Sequence, residues 1–317
     1  MRRTSLNTVH ELARTDGRVV YIGSDPGPGT LNAMKKEFPE RFFIEGIAEQ
    51  HVIGMAAGMA LDGVIPYVNT IATFLTRRCL EQTAVDVCLQ NLPVRLIANG
   101  GGLVYAPLGP THTAIEDIAL MRALPGMTVT CASDADEMRR LVLASLDWPK
   151  PMYIRLAKGG DPVVSRDDDD FAIGRAIIRR PIGDAVIVST GVMTHRAMQT
   201  AEALAADGIS CGVIHCHTIA RLDGEAMAAA ATGARLVVTL EEHVVLGGLG
   251  SAVLECLNDL CIATPVLRLG IPHSFVHRYG SQDGLLDHFG LSPAAVANAI
   301  RERIDNPKSH SHIKALA

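Results

Sequence analysis

Glu49 and His112 are the two side chains in this sequence whose type and setting best suit proton transfer. Glu49 lies in Arg41 to Leu61 (RFFIEGIAEQHVIGMAAGMAL), where a short β-type run, Phe42 to Ile44, passes through Gly46 into a segment rich in Ala, Gly and Met. If helical, that segment is apolar on nearly every face and belongs inside a large core or at an interface. Gly54 and Gly58, four apart, share a face and let a second backbone approach. A carboxylate at the entrance to such a helix either stabilises the helix terminus or works on a ligand, and the local sequence leaves both readings open. His112 ends a long glycine-rich loop that follows a β-branched strand, and loops of that kind usually carry function. An imidazole, with an ordinary pKa of ~6.5, can move a proton or hydrogen-bond to a developing oxyanion.

Other chemistry-bearing stretches are weaker. The loop Gly23 to Gly29 (GSDPGPG) has the look of a phosphate cradle, but Pro26 and Pro28 offer no N–H and the G-x-G-x-x-G order is absent. Its Asp25, at the carboxyl end of the first strand, is placed either to touch a ligand or to form an Asx-turn. Phe74, followed by Arg77 and Arg78 at the start of a helix, is either core or a cofactor stacker. His215-Cys216-His217 puts two His on one side of a strand without a second ligand pair, so packing rather than a metal is expected. Gly247-Gly248-Leu249-Gly250 precedes a helix with the wrong spacing for a dinucleotide, which favours close helix packing. Asp167 to Asp170, beside Gly159-Gly160-Asp161-Pro162, reads as a solvated linker.

The elements that must position these residues alternate between strand and helix. Strands are expected at Arg18 to Ile22, Phe42 to Ile44, Ile65 to Asn69, Pro93 to Ala98, Met127 to Cys131 and Met152 to Leu156. After the linker, strands follow at Ala185 to Ser189, Cys211 to His215, Leu236 to Leu240 and Pro265 to Leu269. Helices fill the gaps, among them Phe74 to Gln90, Ile115 to Ala123 and Asp134 to Leu146 with Ser133 as N-cap. Such alternation demands parallel pairing, so the fold class is α/β, with two α/β domains and mostly parallel sheets. The domains are expected at 1–160 and 171–304, with an acidic linker over 161–170 and a frayed tail over 305–317. At 317 residues, 48% hydrophobic but 4% aromatic, the chain fits aliphatic α/β layers. A net charge of -5 with no basic stripe argues against nucleic acid, and no apolar run is long enough for a membrane span. Seven cysteines without a C-x-x-C pair suit a reduced, cytoplasmic location.

In order, GIAEQH (46–51), GMAAGMAL (54–61), GPTH (109–112), EDIALMRALPGM (116–127), YIRLAKG (153–159) and EEHVVLGGLGSAV (241–253) resemble the C-terminal half of the transketolase family of thiamine diphosphate enzymes, over about residues 4–304. The likeness is to the smaller subunit of a split transketolase. It implies that Glu49 hydrogen-bonds the aminopyrimidine and activates the cofactor, its pKa raised by desolvation at an interface. It further implies that Phe74, with Ile71 beside it, walls the pyrimidine pocket, that Asp25 faces the cofactor, that His112 contacts the substrate oxygen and that Arg155 grips a sugar phosphate. Leu108 stands where the family has Asp, and Gly100 where it has a phosphate-contacting His, both of which weaken the expectation of an ordinary ketose phosphate donor. The G-D-G…N signature for Mg²⁺ and diphosphate is absent, so a separate N-terminal subunit is expected to hold both in an α2β2 assembly. The resemblance implies transfer of a two-carbon ketol unit from a ketose to an aldehyde. The alternatives are a pyruvate-using activity, like 1-deoxyxylulose-5-phosphate synthase or the 2-oxo acid dehydrogenase E1 β-subunit, and a non-catalytic assembly subunit.

Overall fold

The computed structural model describes residues 1–24, 31–157 and 159–306; residues 25–30, Asp25 among them, residue 158 and the tail from 307 lie outside them. The chain runs α1 (Arg2–Thr15), β1 (Val19–Gly23), α2 (Asn32–Glu37), β2 (Phe42–Ile44), α3 (Glu49–Leu61) and β3 (Ile65–Ile71). It continues through α4 (Leu80–Gln82), β4 (Arg95–Asn99), α5 (Asp117–Arg122), β5 (Thr128–Cys131), α6 (Ala135–Ser145) and β6 (Met152–Leu156). The second half holds β7 (Ile177–Arg180), β8 (Ala185–Ser189), α7 (Met193–Ala206), β9 (Cys211–His215), α8 (Gly224–Gly233), β10 (Leu236–Val244), α9 (Leu249–Asp259), β11 (Val266–Ile271), α10 (Gln282–His288) and α11 (Pro293–Asp305).

Val- and Ile-rich strands buried along their whole length, such as Val19–Gly23 and Ala185–Ser189, can be satisfied only between two layers of helices. They form a six-stranded parallel sheet, ordered β2-β1-β3-β4-β6-β5, and a five-stranded sheet, ordered β11-β10-β8-β9-β7. The pairing is mostly parallel, as expected, and among the described strands it departs from parallel at one edge, where β7 runs antiparallel to β9. In the first sheet the order reverses between β1 and β3, which opens a crevice at their carboxyl ends, where open α/β sheets bind ligands.

One apolar cluster joins the layers, running from Ile22, Val52 and Leu75 through Val129 to Val186, Ile214 and Val237. Polar contacts cross between the sheets as well. His215 Nε2 lies 2.9 Å from Glu137 Oε2 of α6 and its Nδ1 lies 2.7 Å from Thr194, so the histidine pair serves packing between halves. At α9 the glycines allow close packing as expected: the Glu241 carboxylate accepts the Leu249 and Gly250 amides at 2.6 and 2.8 Å and so fills the helix terminus itself. The acidic run is not uniformly solvated, because Asp169 turns inward into a buried ion pair with Arg179. The N-cap of α6 is Asp134, not Ser133; its carboxylate also holds the Val164 and Ser165 amides of the linker.

The expected helix from Phe74 to Gln90 is broken into a π-turn at Phe74–Arg78, the short α4 and a second π-turn at Thr83–Cys88. The Thr76 hydroxyl donates to the Ala72 carbonyl at 2.9 Å and competes with the backbone ladder at the first of these turns.

Candidate functional site

Glu49 is the first residue of α3 and is 1% exposed. The chain reaches it through Gly46, whose φ of +65° suits glycine in the tight passage from β2. Ser24, at the end of β1, lies 2.9 Å from Glu49 Oε1 and 2.7 Å from the Gly46 carbonyl. Its single hydrogen serves one acceptor at a time, so the hydroxyl can donate to a carboxylate or turn to Gly46 and accept from a carboxylic acid. On the other oxygen, Arg78 Nη1 donates to Glu49 Oε2 at 2.6 Å. Burial pushes the Glu49 pKa up, but the hydrogen bonds from Arg78, the backbone and Ser24, with the Arg78 charge, outweigh it, and the carboxyl sits below its ordinary value. The expectation of a raised pKa is therefore corrected for the chain by itself, for want of any allowance for the arginine.

Arg78 makes a second contact. Its guanidinium lies over the Phe74 ring, 4.2 Å from the centroid, and the edge-to-face partner of that ring is His112, at 5.4 Å. Glu49, Arg78, Phe74 and His112 thus form one continuous contact chain above the β1–β3 crevice. Ile71, the half-buried last residue of β3, stands three residues before Phe74 in the same rim. His112 is held by a turn ahead of α5, which begins only at Asp117; its Nδ1 lies 2.9 Å from Thr111 Oγ1. Arg77 ties this turn to the Phe74 segment by pairing with Glu116 and donating to the Pro110 and Thr113 carbonyls.

Arg155 is elsewhere. It is 6% exposed, with Nε donating to Asp117 Oδ2 at 2.7 Å and Nη2 to the carbonyls of Ala114 and Glu242. Nε and Nη2 are thus spent inside the protein, so these two nitrogens are not free for the expected grip on a phosphate. At position 100, a Cβ would stand 2.1 Å from the Tyr105 ring, so an aromatic side chain fills the space a larger residue would need. Leu108 is 53% exposed. A cavity of about 450 Å³ between the halves, lined by Arg77, Ile115, Glu116, Val244 and Phe275, lies behind the His112 turn and does not include Glu49.

The functional partner missed in the sequence is Arg78. Its spacing of four from Phe74 was the available signal, since that places both on one side of a helical turn.

α3 is buried on one side only. Val52, Ile53, Ala56, Ala57 and Ala60 are buried, whereas His51, Gly54, Gly58 and Leu61 form an exposed stripe, with Leu61 68% exposed. A Cβ on Gly58 would meet nothing within 4 Å. Ile44, Ile47, Val85 and Leu89 are exposed as well. The segment is apolar all round, as the sequence indicates, but this chain covers only one of its faces.

The fold and site define a two-domain α/β chain with an acid and an aromatic wall over the switch point of its first sheet. The chain belongs to the transketolase family: residues 1–160 match the transketolase pyrimidine binding domain, and residues 174–296 match the transketolase C-terminal domain. It is 34% identical over 303 residues to the 6-deoxy-6-sulfo-D-fructose transketolase subunit SqwH of Clostridium sp. (strain MSTE9), covering 95% of this chain and 94% of that one. It is 37% identical over 304 residues to 1-deoxy-D-xylulose-5-phosphate synthase of Synechococcus sp. (strain JA-3-3Ab), covering 94% of this chain but 46% of that protein. The chain spans about half the length of the synthases it matches. Among solved structures, it resembles a split gene transketolase described as an inactive beta4 tetramer, with a TM-score of 0.86 and 35% identity over 95% of this chain and 96% of that one.

Proposed function

We propose that the chain is the pyrimidine-binding subunit of a thiamine diphosphate-dependent transketolase-type carboligase. It moves a two-carbon ketol unit from a ketose to an aldehyde once a separate N-terminal subunit supplies the diphosphate- and Mg²⁺-binding half, in an α2β2 complex in the cytoplasm. The observation that carries this reading is the contact between Arg78, Glu49 and Phe74. A flat, nitrogen-bearing group already lies on the aromatic face and hydrogen-bonds the buried acid, the two contacts an aminopyrimidine would make there, its ring nitrogen accepting from the carboxyl where Arg78 donates. The residues fit the cofactor provided that Arg78, whose side chain is 41% exposed, swings away.

When bound, thiamine diphosphate supplies the nucleophilic carbon and the electron sink that protein side chains lack. This chain supplies the rest. Without Arg78 on its Oε2, Glu49 keeps the upward push of burial and loses its strongest charged partner, which lets the carboxyl hold a proton towards the ring nitrogen while Ser24 turns to Gly46. Phe74 and Ile71 form the apolar wall, Asp25 is the acid assigned to the cofactor, and His112 hydrogen-bonds the substrate oxygen as charge builds on it. Leu108 cannot accept a hydrogen bond from a sugar hydroxyl, which favours a donor or acceptor lacking one at that point. The open stripe of α3, with Ile44, Ile47, Val85 and Leu89, supports a partner that covers the site from outside the chain.

A second reading, use of pyruvate as donor, is favoured by the identity to 1-deoxy-D-xylulose-5-phosphate synthases. The two are separated by reconstituting the chain with the N-terminal subunit, thiamine diphosphate and Mg²⁺. Ketol transfer from a ketose supports the first reading; CO₂ release from pyruvate without a ketose establishes the second.

A further inference from the structure

The segment carrying His112 is closed at its neck and gripped by the second domain. Gly102 and Ala114 exchange hydrogen bonds in both directions, at 2.8 and 3.0 Å, which makes 103–113 a loop with fixed ends and places His112 two residues from the closing Ala114. Against that neck lies the end of β10. Glu242 Oε1 accepts the Leu103 N–H at 2.8 Å, the Val244 N–H donates to the Ile115 carbonyl at 2.8 Å, and His243 Nε2 accepts the Ala119 N–H at 3.2 Å. Gln282 of α10 steadies the same carboxylate, donating to its two oxygens at 2.9 and 3.0 Å.

The fit leaves no slack. A Cβ on Gly102, where φ is +70°, would stand 2.3 Å from Glu242 Cδ, so glycine alone lets the acid lie against the loop. Arg155 passes beneath Gly101, whose Cβ would fall 2.5 Å from its Cγ, and bonds the Ala114 and Glu242 carbonyls. Glu242 is 2% exposed, so removing it leaves the Leu103 amide buried without an acceptor.

We propose that Glu242 is a positioning residue. Through the Leu103 amide and the surface of Gly102 it fixes the neck of the 103–113 loop, so that the second domain sets where the first domain's His112 stands. This rests on the assignment of His112 to the substrate made above. Because a displacement of ~1 Å at a reacting group costs on the order of 100-fold, a remote clamp of this kind governs rate.

The test is a double-mutant cycle in the complex of the full chain with its N-terminal subunit. Glu242→Ala lowers kcat/KM by roughly 10- to 100-fold, and amide hydrogen exchange quickens over 103–113 while the strands stay protected. In a His112→Ala background the same change costs less than about twofold, the signature of one residue acting through another. Equal losses in both backgrounds, or unchanged exchange in the loop, overturn the proposal. If Glu242→Ala does not fold, Gln282→Ala is read the same way: a loss confined to the His112-containing background supports the clamp, and equal losses overturn it. Full activity of His112→Ala instead refutes the role of that histidine; exchange over 103–113 in Glu242→Ala then still decides whether the clamp exists.

Discussion

At the scale of the residue, one arginine decides the state of the acid. The Glu49 carboxyl is held below its ordinary value because Arg78, the backbone and Ser24 favour its charged form against the penalty of burial. A carboxyl depressed in the folded state stabilises the protein above the unfolded value of 4.5, and that contribution is lost as pH falls through the lower folded value. In Arg78→Ala the push of burial dominates, and the Glu49 carboxyl resonance, followed by NMR with ¹³C-labelled glutamate, should titrate above its wild-type position. An unmoved titration means that Arg78 does not set the charge. Glu49, Phe74 and His112 could be picked out as types in plausible settings. The Arg78–Glu49 contact could not, because it joins residues 29 apart through a fold that local pattern does not specify. How Arg155 is held was hidden for a related reason: its neighbours Tyr153, Ile154 and Leu156 announce a buried strand, but only Asp117 and two carbonyls from other segments explain how a guanidinium survives there.

At the scale of the element, α3 shows what its composition encodes and what it leaves to others. Buried Ala and Val positions pack it on the first sheet, while Gly54 and Gly58 keep the opposite side low and smooth. Gly58→Arg removes a poor helix former from an open position, so the chain should gain up to about 1 kcal/mol of stability and a higher Tm. The same substitution places a long cation on the stripe assigned to the partner, and sedimentation should show loss of the mixed complex. Stability and association that fall together instead would place that face inside the chain's own fold. The strands were legible because their aliphatic runs have the length and flanks of buried β-structure. β7 escaped, since Ile177-Ile178-Arg179-Arg180 is short and half charged, as an edge permits. α2 escaped too, with Met34 its one buried residue. The π-turn at Phe74 leaves no mark in periodicity, yet it sets the angle at which Phe74 and Arg78 meet Glu49.

At the scale of the whole molecule, the halves are joined by buried polar groups as well as by the shared apolar cluster. His217, fully buried beside Phe171 and close to Glu137 and His215, has its pKa pushed down by burial to about 4 from 6.5. The unfolded chain takes up this proton below 6.5 and the folded chain only near 4, so the contribution is complete above 6.5 and lost as pH falls through that window. Between about pH 7 and pH 5 the loss is roughly 2 kcal/mol. Urea unfolding across that range should show His217→Phe less sensitive to acid than the parent protein; equal slopes would assign the acid sensitivity to other groups. Alternation of strand and helix was enough to indicate two α/β layers. It could not indicate how tightly they are interlocked, because contacts such as Glu242 with Leu103 and Glu137 with His215 connect residues 139 and 78 apart.

The proposed role of the buried Glu49 carboxyl is to activate a cofactor held between this chain and an N-terminal partner. Its most direct measurement is the exchange of the bound cofactor's thiazolium proton with D₂O in the reconstituted complex, wild type against Glu49→Gln. If Glu49 acts as proposed, the Gln variant assembles and binds the cofactor but exchanges at least ~100-fold more slowly. Exchange at the wild-type rate in an intact Gln complex would contradict it.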